Sequence, residues 1–133
     1  LDRCVSVQRE ALRVHAPDVV VGSSWGGAVT VQLLLEGSWS GPTVLLAPAH
    51  RLVQERTNPV RLGELQTALQ GLKVPLVVFH DPDDDVVPFV GSSDLSGIAE
   101  VVECPGGGHR LLPVLEDGRI ADGIRRVAAK GER

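Results

Sequence analysis

A serine, an acidic loop and a histidine each follow an apolar run in this sequence, and together they could perform acyl transfer. Ser24 lies in the segment Gly22-Ser23-Ser24-Trp25-Gly26, which has the pattern G-x-S-x-G. Residues 81–85 contain four aspartates, and His109 follows Gly107-Gly108. A serine hydroxyl is a weak nucleophile at neutral pH, so it needs an imidazole to accept its proton and a carboxylate to orient that imidazole. We therefore interpret Ser24 as a candidate nucleophile with an acidic and a basic partner further along the chain.

The turn around Ser24 joins a predicted buried strand, Val19-Val20-Val21, to a predicted helix. Small residues at Gly22 and Gly26 would let the backbone bend sharply without a Cβ clash, and such a turn projects the serine Oγ above the sheet. Glycine-rich turns are also common where no chemistry is done. The pattern at this position, taken alone, leaves a purely structural turn as an alternative.

Hydrophobic periodicity predicts strands and helices that alternate along the chain. Apolar runs of five or six residues bounded by turn residues predict strands, and apolar positions spaced near 3.6 residues predict helices. The predicted strands are residues 18–22, 43–47, 75–80 and 99–104, and the predicted helices are residues 4–14, 28–36, 60–72 and 120–130. Residues 49–59 are polar and residues 89–95 are ambiguous, so neither segment is assigned an element.

Unbroken apolar strands that alternate with helices are typical of a parallel sheet covered on both faces. We predict an α/β fold, a parallel sheet of about four strands with helices on both faces, in a single domain over residues 1–133. Reactive groups in such sheets gather at the carboxyl ends of the strands. Ser24, the acidic loop and His109 follow the first, third and fourth predicted strands, so this topology would bring them to one edge.

These features resemble the α/β-hydrolase fold superfamily of serine hydrolases, from the nucleophile strand onward. The segment around Ser24 matches the family's nucleophile turn. The run from His80 to Pro88, HDPDDDVVP, is similar to the family's H-G-x-x-D-x-V-V-P, with Asp81 where glycine is usual and Asp84 at the acid position. Gly107-Gly108-His109 is similar to the G-G-H that ends the last strand. The order Ser, Asp, His is also that of the family, and the resemblance covers most of the chain.

The resemblance implies that Ser24, Asp84 and His109 form a catalytic triad that cleaves ester-type bonds of a small-molecule substrate through an acyl-enzyme. The backbone N–H of Trp25, at the amino end of the next helix, would be one oxyanion donor. The Trp25 side chain would either wall the acyl pocket or simply pack. The family pattern favours Asp84 over Asp85 as the acid, and no cofactor or metal ion is implied.

Other polar residues of this region have structural interpretations. We expect Asp81 and Asp83 to be solvated or to cap the turn. His80, at the end of a predicted strand, is more often a packed histidine than a second base.

The sequence departs from the family pattern ahead of Ser24. The family's second oxyanion donor comes from a loop after an earlier strand, often marked H-G, whereas residues 1–17 hold one predicted helix and no strand. The nucleophile strand would then lie at an edge of the sheet with unpaired backbone groups. We expect either that the domain is N-terminally truncated, which we favour, or that another molecule associates with this edge.

The interval 49–72, where the family inserts a cap domain, is filled mostly by one predicted helix. A large lid is therefore not expected. The open cleft that results favours small or accessible esters over a deep lipid tunnel.

Composition excludes several classes of partner. The net charge of −4 comes without a Lys/Arg cluster, so neither nucleic acid nor an anionic membrane surface is an expected partner. The sequence has no run near the ~18 apolar residues of a membrane span, and residues 1–20 lack the pattern of a secretion signal. Cys4 and Cys104 are far apart and outside any C-x-x-C, which predicts two unpaired thiols in a reducing compartment. We therefore expect a cytoplasmic protein.

The main alternative is a non-catalytic α/β-hydrolase relative whose cleft or surface serves binding or protein interaction, because a fold does not guarantee an activity. A second alternative is an Mg²⁺-dependent phosphotransfer site of the haloacid-dehalogenase type at Asp81-Pro82-Asp83. That site would leave Ser24 and His109 without a role.

Two further binding motifs fit poorly. A calcium loop starting at Asp81 would have Val86 at the turn-glycine position and Ser92 at the bidentate-glutamate position. The glycines from Gly22 to Gly27 do not form the dinucleotide fingerprint, because Ser24 replaces its second glycine.

Overall fold

The computed structural model describes residues 1–131 and contains one parallel four-stranded sheet. Each strand pairs with its neighbour in the sequence, so the order across the sheet is β1-β2-β3-β4. The strands are β1 Val20–Ser23, β2 Thr43–Leu46, β3 Leu76–His80 and β4 Glu100–Glu103. The predicted α/β class and four-stranded parallel sheet are confirmed.

Helices fill the connections between the strands, precede β1 and follow β4. They are α1 Asp2–His15, α2 Trp25–Leu35, α3 His50–Thr57, α4 Leu62–Gln70, α5 Val90–Ser93, α6 Leu112–Glu116 and α7 Arg119–Gly131, with a 3-10 turn over Pro59–Arg61 ahead of α4.

Apolar side chains cover both faces of the sheet because successive strand residues point to opposite sides. One face is built from strand residues Val44, Val77 and Phe79 and is covered by Leu111, Val114 of α6, and Ile120 and Val127 of α7. The opposite face is built from Leu45, Leu76 and Val78 and is covered by Val31 of α2, Leu69 of α4, and Leu95. All five residues of β3 are buried, which explains why the four residues ahead of His80 are continuously apolar.

The main difference from the predicted elements lies in the interval 49–72, which contains two helices and not one. Helix α3 has only Leu52 and Val53 as apolar residues among eight, so its sequence carries no helical stripe of hydrophobic residues. It forms because it packs against α2 and the start of α4, a tertiary effect. The short helix α6 was also not predicted, because five residues are too few for a periodic pattern.

Strand β1 lies at an edge of the sheet, as predicted. Its only strand neighbour in the described part of the chain is β2, and Val21 is 45% exposed. Helix α1 packs against α2, where Val5 contacts Val29 and Leu33. Association of another molecule with this edge remains a prediction.

The two cysteines are unpaired, as expected, with Cys4 exposed and Cys104 buried. Among the described helices, none combines the length and apolar character that crossing a membrane requires.

Buried His50, the first residue of α3, makes the stability of the fold depend on pH. Its side chain is 5% exposed, and neither ring nitrogen has a hydrogen-bond partner within residues 1–131. Burial lowers the pKa of His50 to about 4, and the Gly91 backbone and Asp94 offset this only in part. The unfolded chain, with a histidine pKa near ~6.5, therefore takes up a proton before the folded chain does.

We expect the free energy of unfolding to be highest above pH ~6.5 and to fall by about 3 kcal/mol as the pH drops toward 4, through this histidine alone. Chemical denaturation at several pH values measures it. His50→Leu should flatten the profile in this window, whereas His15→Gln, at an exposed histidine of α1, should leave it in place. Equal profiles for the parent chain and His50→Leu would contradict the prediction.

Candidate active site

Ser24 forms a strained turn between β1 and α2. Its backbone angles are φ 53° and ψ −115°, a conformation that costs a non-glycine residue about 1–3 kcal/mol. The surrounding backbone holds it there, because the Ser24 N–H donates to the Leu46 carbonyl at 2.9 Å and the Ser24 carbonyl accepts from the N–H groups of Gly27, Ala28 and Ala49. The fold thus tolerates an unfavourable backbone conformation at the position that presents the Ser24 side chain.

Two glycines make the turn possible through close backbone approaches. A Cβ at Gly22 would lie 2.3 Å from Thr30 Oγ1, and a Cβ at Gly27 would lie 2.8 Å from the Pro48 Cα. The expectation that Gly22 and Gly26 both relieve crowding holds for Gly22 but not for Gly26, whose Cβ would meet nothing within 4 Å. The second crowded glycine is Gly27, because α2 packs there against the loop after β2.

The structure brings Ser24, His109 and Asp84 into one chain of hydrogen bonds at the carboxyl edge of the sheet. Ser24 Oγ lies 3.0 Å from His109 Nε2, and His109 Nδ1 lies 2.8 Å from Asp84 Oδ2. The three residues come from the ends of β1, β4 and β3, which are up to 85 positions apart in sequence. A serine, an imidazole and a carboxylate in this geometry have the contacts that activate a hydroxyl nucleophile.

The Asp84 carboxylate is buried and fully engaged. Its side chain has 0% exposure, and Oδ1 accepts from the backbone N–H groups of Val86 at 2.8 Å and Val87 at 2.9 Å. Burial raises the pKa of Asp84, but hydrogen bonds from His109 and from the backbone of Val87 and Val86 outweigh it and lower the pKa below its ordinary value. Asp84 is therefore ionised at neutral pH and can hold an imidazolium beside it.

The other aspartates of the loop differ in burial: Asp83 and Asp85 are exposed, whereas Asp81 is buried. Asp85 is exposed, and no residue within 1–131 bonds its side chain, so the structure brings Asp84 and not Asp85 to His109. Asp83 is exposed, as expected. Asp81 is 4% exposed and caps the turn, the second of the two expectations: its carboxylate accepts from the N–H group of Asp83 at 2.9 Å, and also from that of Gly108 at 2.8 Å.

The bond from Gly108 gives Asp81 a second structural role, which the sequence pattern did not predict. The bond from Gly108 ties the loop that carries His109 to the loop that carries Asp84. Gly106 and Gly108 both have φ above 70°, a region that glycine adopts without strain. By accepting the Gly108 N–H, the Asp81 carboxylate holds the glycine-rich loop beside His109 in place.

His80 is packed, as expected, but it also contacts the site. It has 0% exposure, and its Nε2 lies 3.1 Å from Asp84 Oδ2 and 2.9 Å from the Val87 carbonyl. Its Nδ1 lies 2.6 Å from Oγ of Ser92, a residue of the short helix α5. The contact with Ser92 could not be predicted, because α5 lies in a segment without a clear sequence pattern.

The first backbone N–H groups of α2 are available to a ligand beside Ser24. The Trp25 N–H makes no hydrogen bond within residues 1–131 and lies at the amino end of the helix, where the macrodipole favours negative charge. Ahead of β1 the chain forms only α1, so the described residues contain no earlier strand to supply the family's second donor.

A cleft of about 360 Å³ adjoins Ser24. Arg56 and Thr57 add polar groups to its lining. The apolar lining residues come from the start of α2, from α3 and the residue before it, and from the loop after β3: Trp25, Ala49, Leu52, Val53, Val86 and Val87. Trp25 is 46% exposed and Val86 is 55% exposed, so the cleft is open to solvent. The Trp25 side chain is thus a wall of this cleft.

Within residues 1–131 no cluster of three or more His, Cys, Asp or Glu side chains could hold a metal ion. Asp81 and Asp84, the buried acids of the loop, already accept two and four hydrogen bonds from the protein. Their oxygens are oriented toward the protein's own donors.

Comparison with known proteins identifies the fold. No known family model matches the sequence, and no relative is found among curated proteins. A monoacylglycerol lipase from Paleococcus ferrophilus superposes with a TM-score of 0.72 at 12% identity, over 96% of this chain and 75% of the lipase. A candidate YdeN-like hydrolase from Pectobacterium atrosepticum gives 0.65 at 25% identity, over 98% and 69%. An alpha/beta hydrolase enzyme from a lagoon-sediment metagenome of Mar Chica, Morocco, gives 0.65 at 12% identity, over 89% and 66%.

The chain has an α/β-hydrolase fold, and the resemblance inferred from the three motifs is confirmed. It matches these proteins as a partial domain, since it spans about two thirds to three quarters of their length. At these identities the similarity establishes architecture, and the chemistry has to be argued from the site.

Proposed function

We propose that this protein is a serine hydrolase that cleaves ester-type bonds. The single observation that carries the proposal is the unbroken chain of hydrogen bonds from Ser24 through His109 to Asp84, presented at the carboxyl edge of the sheet. The similar fold of a lipase and of other hydrolases supports the same reaction class.

The reaction would proceed in two acyl-transfer steps. The Ser24 O–H donates to His109 Nε2, and the His109 Nδ1–H donates to Asp84 Oδ2, so the imidazole takes the hydroxyl proton as Oγ attacks the ester carbonyl. The oxyanion accepts from the Trp25 N–H. His109 then gives its proton to the departing alcohol, which leaves the acyl group on Ser24. Water, deprotonated by His109, attacks that ester, and His109 returns the proton to Ser24 Oγ as the acid is released.

The cleft favours a short, largely apolar acyl group. Its volume of about 360 Å³ lies near the lower end of the range for small-molecule sites, and its lining is mainly aliphatic and aromatic. Since the walls at Trp25 and Val86 are exposed, the cleft holds the acyl chain from the sides and does not enclose it. A small-molecule ester therefore fits the site, and neither a cofactor nor a metal ion enters the mechanism.

A series of 4-nitrophenyl esters of increasing acyl length tests the proposal. We expect hydrolysis with kcat/KM highest for acyl chains of about two to six carbons, because longer chains extend beyond a cleft of this size. A fluorophosphonate should inactivate the protein, and a slowly cleaved ester should protect it. A folded chain that neither hydrolyses these esters nor reacts with the fluorophosphonate would reject the proposal and favour a non-catalytic binding module.

A further inference from the structure

The Asp84 carboxylate accepts hydrogen bonds from two histidines, and only one of them reaches Ser24. Oδ2 lies 2.8 Å from His109 Nδ1 and 3.1 Å from His80 Nε2. The His80 and Asp84 side chains both have 0% exposure. A buried imidazole that shares one carboxylate oxygen with the catalytic base is not needed by the mechanism above.

The contacts of His80 define its tautomer. Nε2 faces two acceptors, the Asp84 carboxylate and the Val87 carbonyl, so it must carry a proton. In the neutral ring Nδ1 is then an acceptor, and the Ser92 hydroxyl donates to it at 2.6 Å. One neutral tautomer satisfies all three contacts and leaves no polar atom of the ring unused.

This Ser–His–Asp arrangement is not a second active site. Ser92 is 0% exposed, so no substrate can approach its hydroxyl. The proton of that hydroxyl is already donated to the ring, and the nearest carboxylate is the one that serves Ser24. The group of Ser92, His80 and Asp84 is instead a continuation of the first chain of hydrogen bonds into the core.

The geometry points to His80 as a positioning residue that holds Asp84 Oδ2 toward His109, with Ser92 fixing the tautomer that does so. This inference rests on the proposed function. Backbone N–H groups fix Oδ1, whereas Oδ2 would otherwise be held only by His109, which is partly exposed and lies in a glycine-rich loop. His80 is the last residue of β3, a central strand with a fixed backbone. Its ring Nε2–H therefore holds Asp84 Oδ2, the oxygen that orients His109, in a fixed position.

Two amide substitutions separate the hydrogen bond from the packing. A glutamine at this position places its NH₂ near the site of Nε2, whereas the shorter asparagine places it near the site of Nδ1. We expect His80→Asn to lower kcat by about 10–100-fold with KM nearly unchanged, because a misplaced catalytic group costs rate and not binding. His80→Gln should restore most of kcat. Ser92→Ala should fall between them.

A matched control measures the effect of lost stability. Leu69→Ala removes a buried side chain of α4 from the apolar cluster that contains Leu76 and Val78, and Leu69 is not a hydrogen-bond partner of His80, Ser92 or Asp84. It should lower the melting temperature while kcat per folded molecule is retained. If His80→Asn and His80→Gln lose kcat equally, or if their loss matches that of Leu69→Ala, His80 is a packing residue and the inference is overturned.

A spectroscopic measurement is independent of turnover. In ¹⁵N-histidine-labelled protein, His80 should carry a proton on Nε2, and Ser92→Ala should change its Nδ1 shift. An Nε2 without a proton in the parent protein would overturn the inference even if the esters are cleaved. Conversely, the expected tautomer in a protein that fails to react with fluorophosphonate would leave the positioning contact intact and reject only the proposed function.

Discussion

Ser24→Ala is expected to lower kcat/KM for ester hydrolysis by about 10⁴-fold or more, because no other group can form the acyl-enzyme. The substitution removes only Oγ, whose one contact within residues 1–131 is with His109. The backbone strain at position 24 is present in either variant, so the fold should be retained. Steady-state kinetics with a 4-nitrophenyl ester, combined with circular dichroism, measures both quantities.

The adjacent hydroxyl provides the control for this prediction. Ser23 ends β1, its side chain is exposed, and it makes no hydrogen bond in the described part of the chain. Ser23→Ala should therefore keep kcat/KM within about twofold, as surface substitutions away from a site usually do little. Equal losses in the two variants would mean that the turn, and not the Ser24 hydroxyl, governs the activity.

Asp84→Asn should reduce kcat by about 10³–10⁴-fold. The backbone N–H groups of Val86 and Val87 would select the amide oxygen at the Oδ1 position. The amide NH₂ then occupies the Oδ2 position, where it faces the N–H groups of two histidines, donor against donor. His109 would have to rotate or adopt the tautomer that cannot accept the Ser24 proton.

Asp85→Asn makes the same chemical change one residue away on an exposed side chain. We expect its kcat and KM to remain near those of the parent protein. A larger loss in Asp85→Asn than in Asp84→Asn would show that the acid of the site had been misidentified.

The sequence was sufficient for the sheet and for the three residues at its carboxyl edge, because each depended on a local pattern. The apolar run in β3 indicates a strand buried on both faces, and the glycines around Ser24 indicate a sharp turn between a strand and a helix. Parallel order then places the ends of β1, β3 and β4 together without any knowledge of side-chain contacts.

What could not be predicted depends on contacts between distant segments. The bond that Asp81 accepts from the Gly108 N–H joins positions 27 apart, and no local pattern indicates it. Gly27 is crowded because Pro48 packs against α2, and α3 contacts α2 and α4, which its own sequence pattern does not indicate. The single-domain boundary, the edge association and the cytoplasmic location remain predictions.

Covalent labelling shows directly whether Ser24 is the nucleophile. The protein is incubated with a fluorophosphonate, digested, and the modified residue is located by tandem mass spectrometry. We expect one adduct, on the Ser24 hydroxyl, formed at a rate that falls sharply in His109→Ala and is unchanged in Ser23→Ala. An adduct on a different residue, or labelling of Ser24 that does not depend on His109, would contradict it.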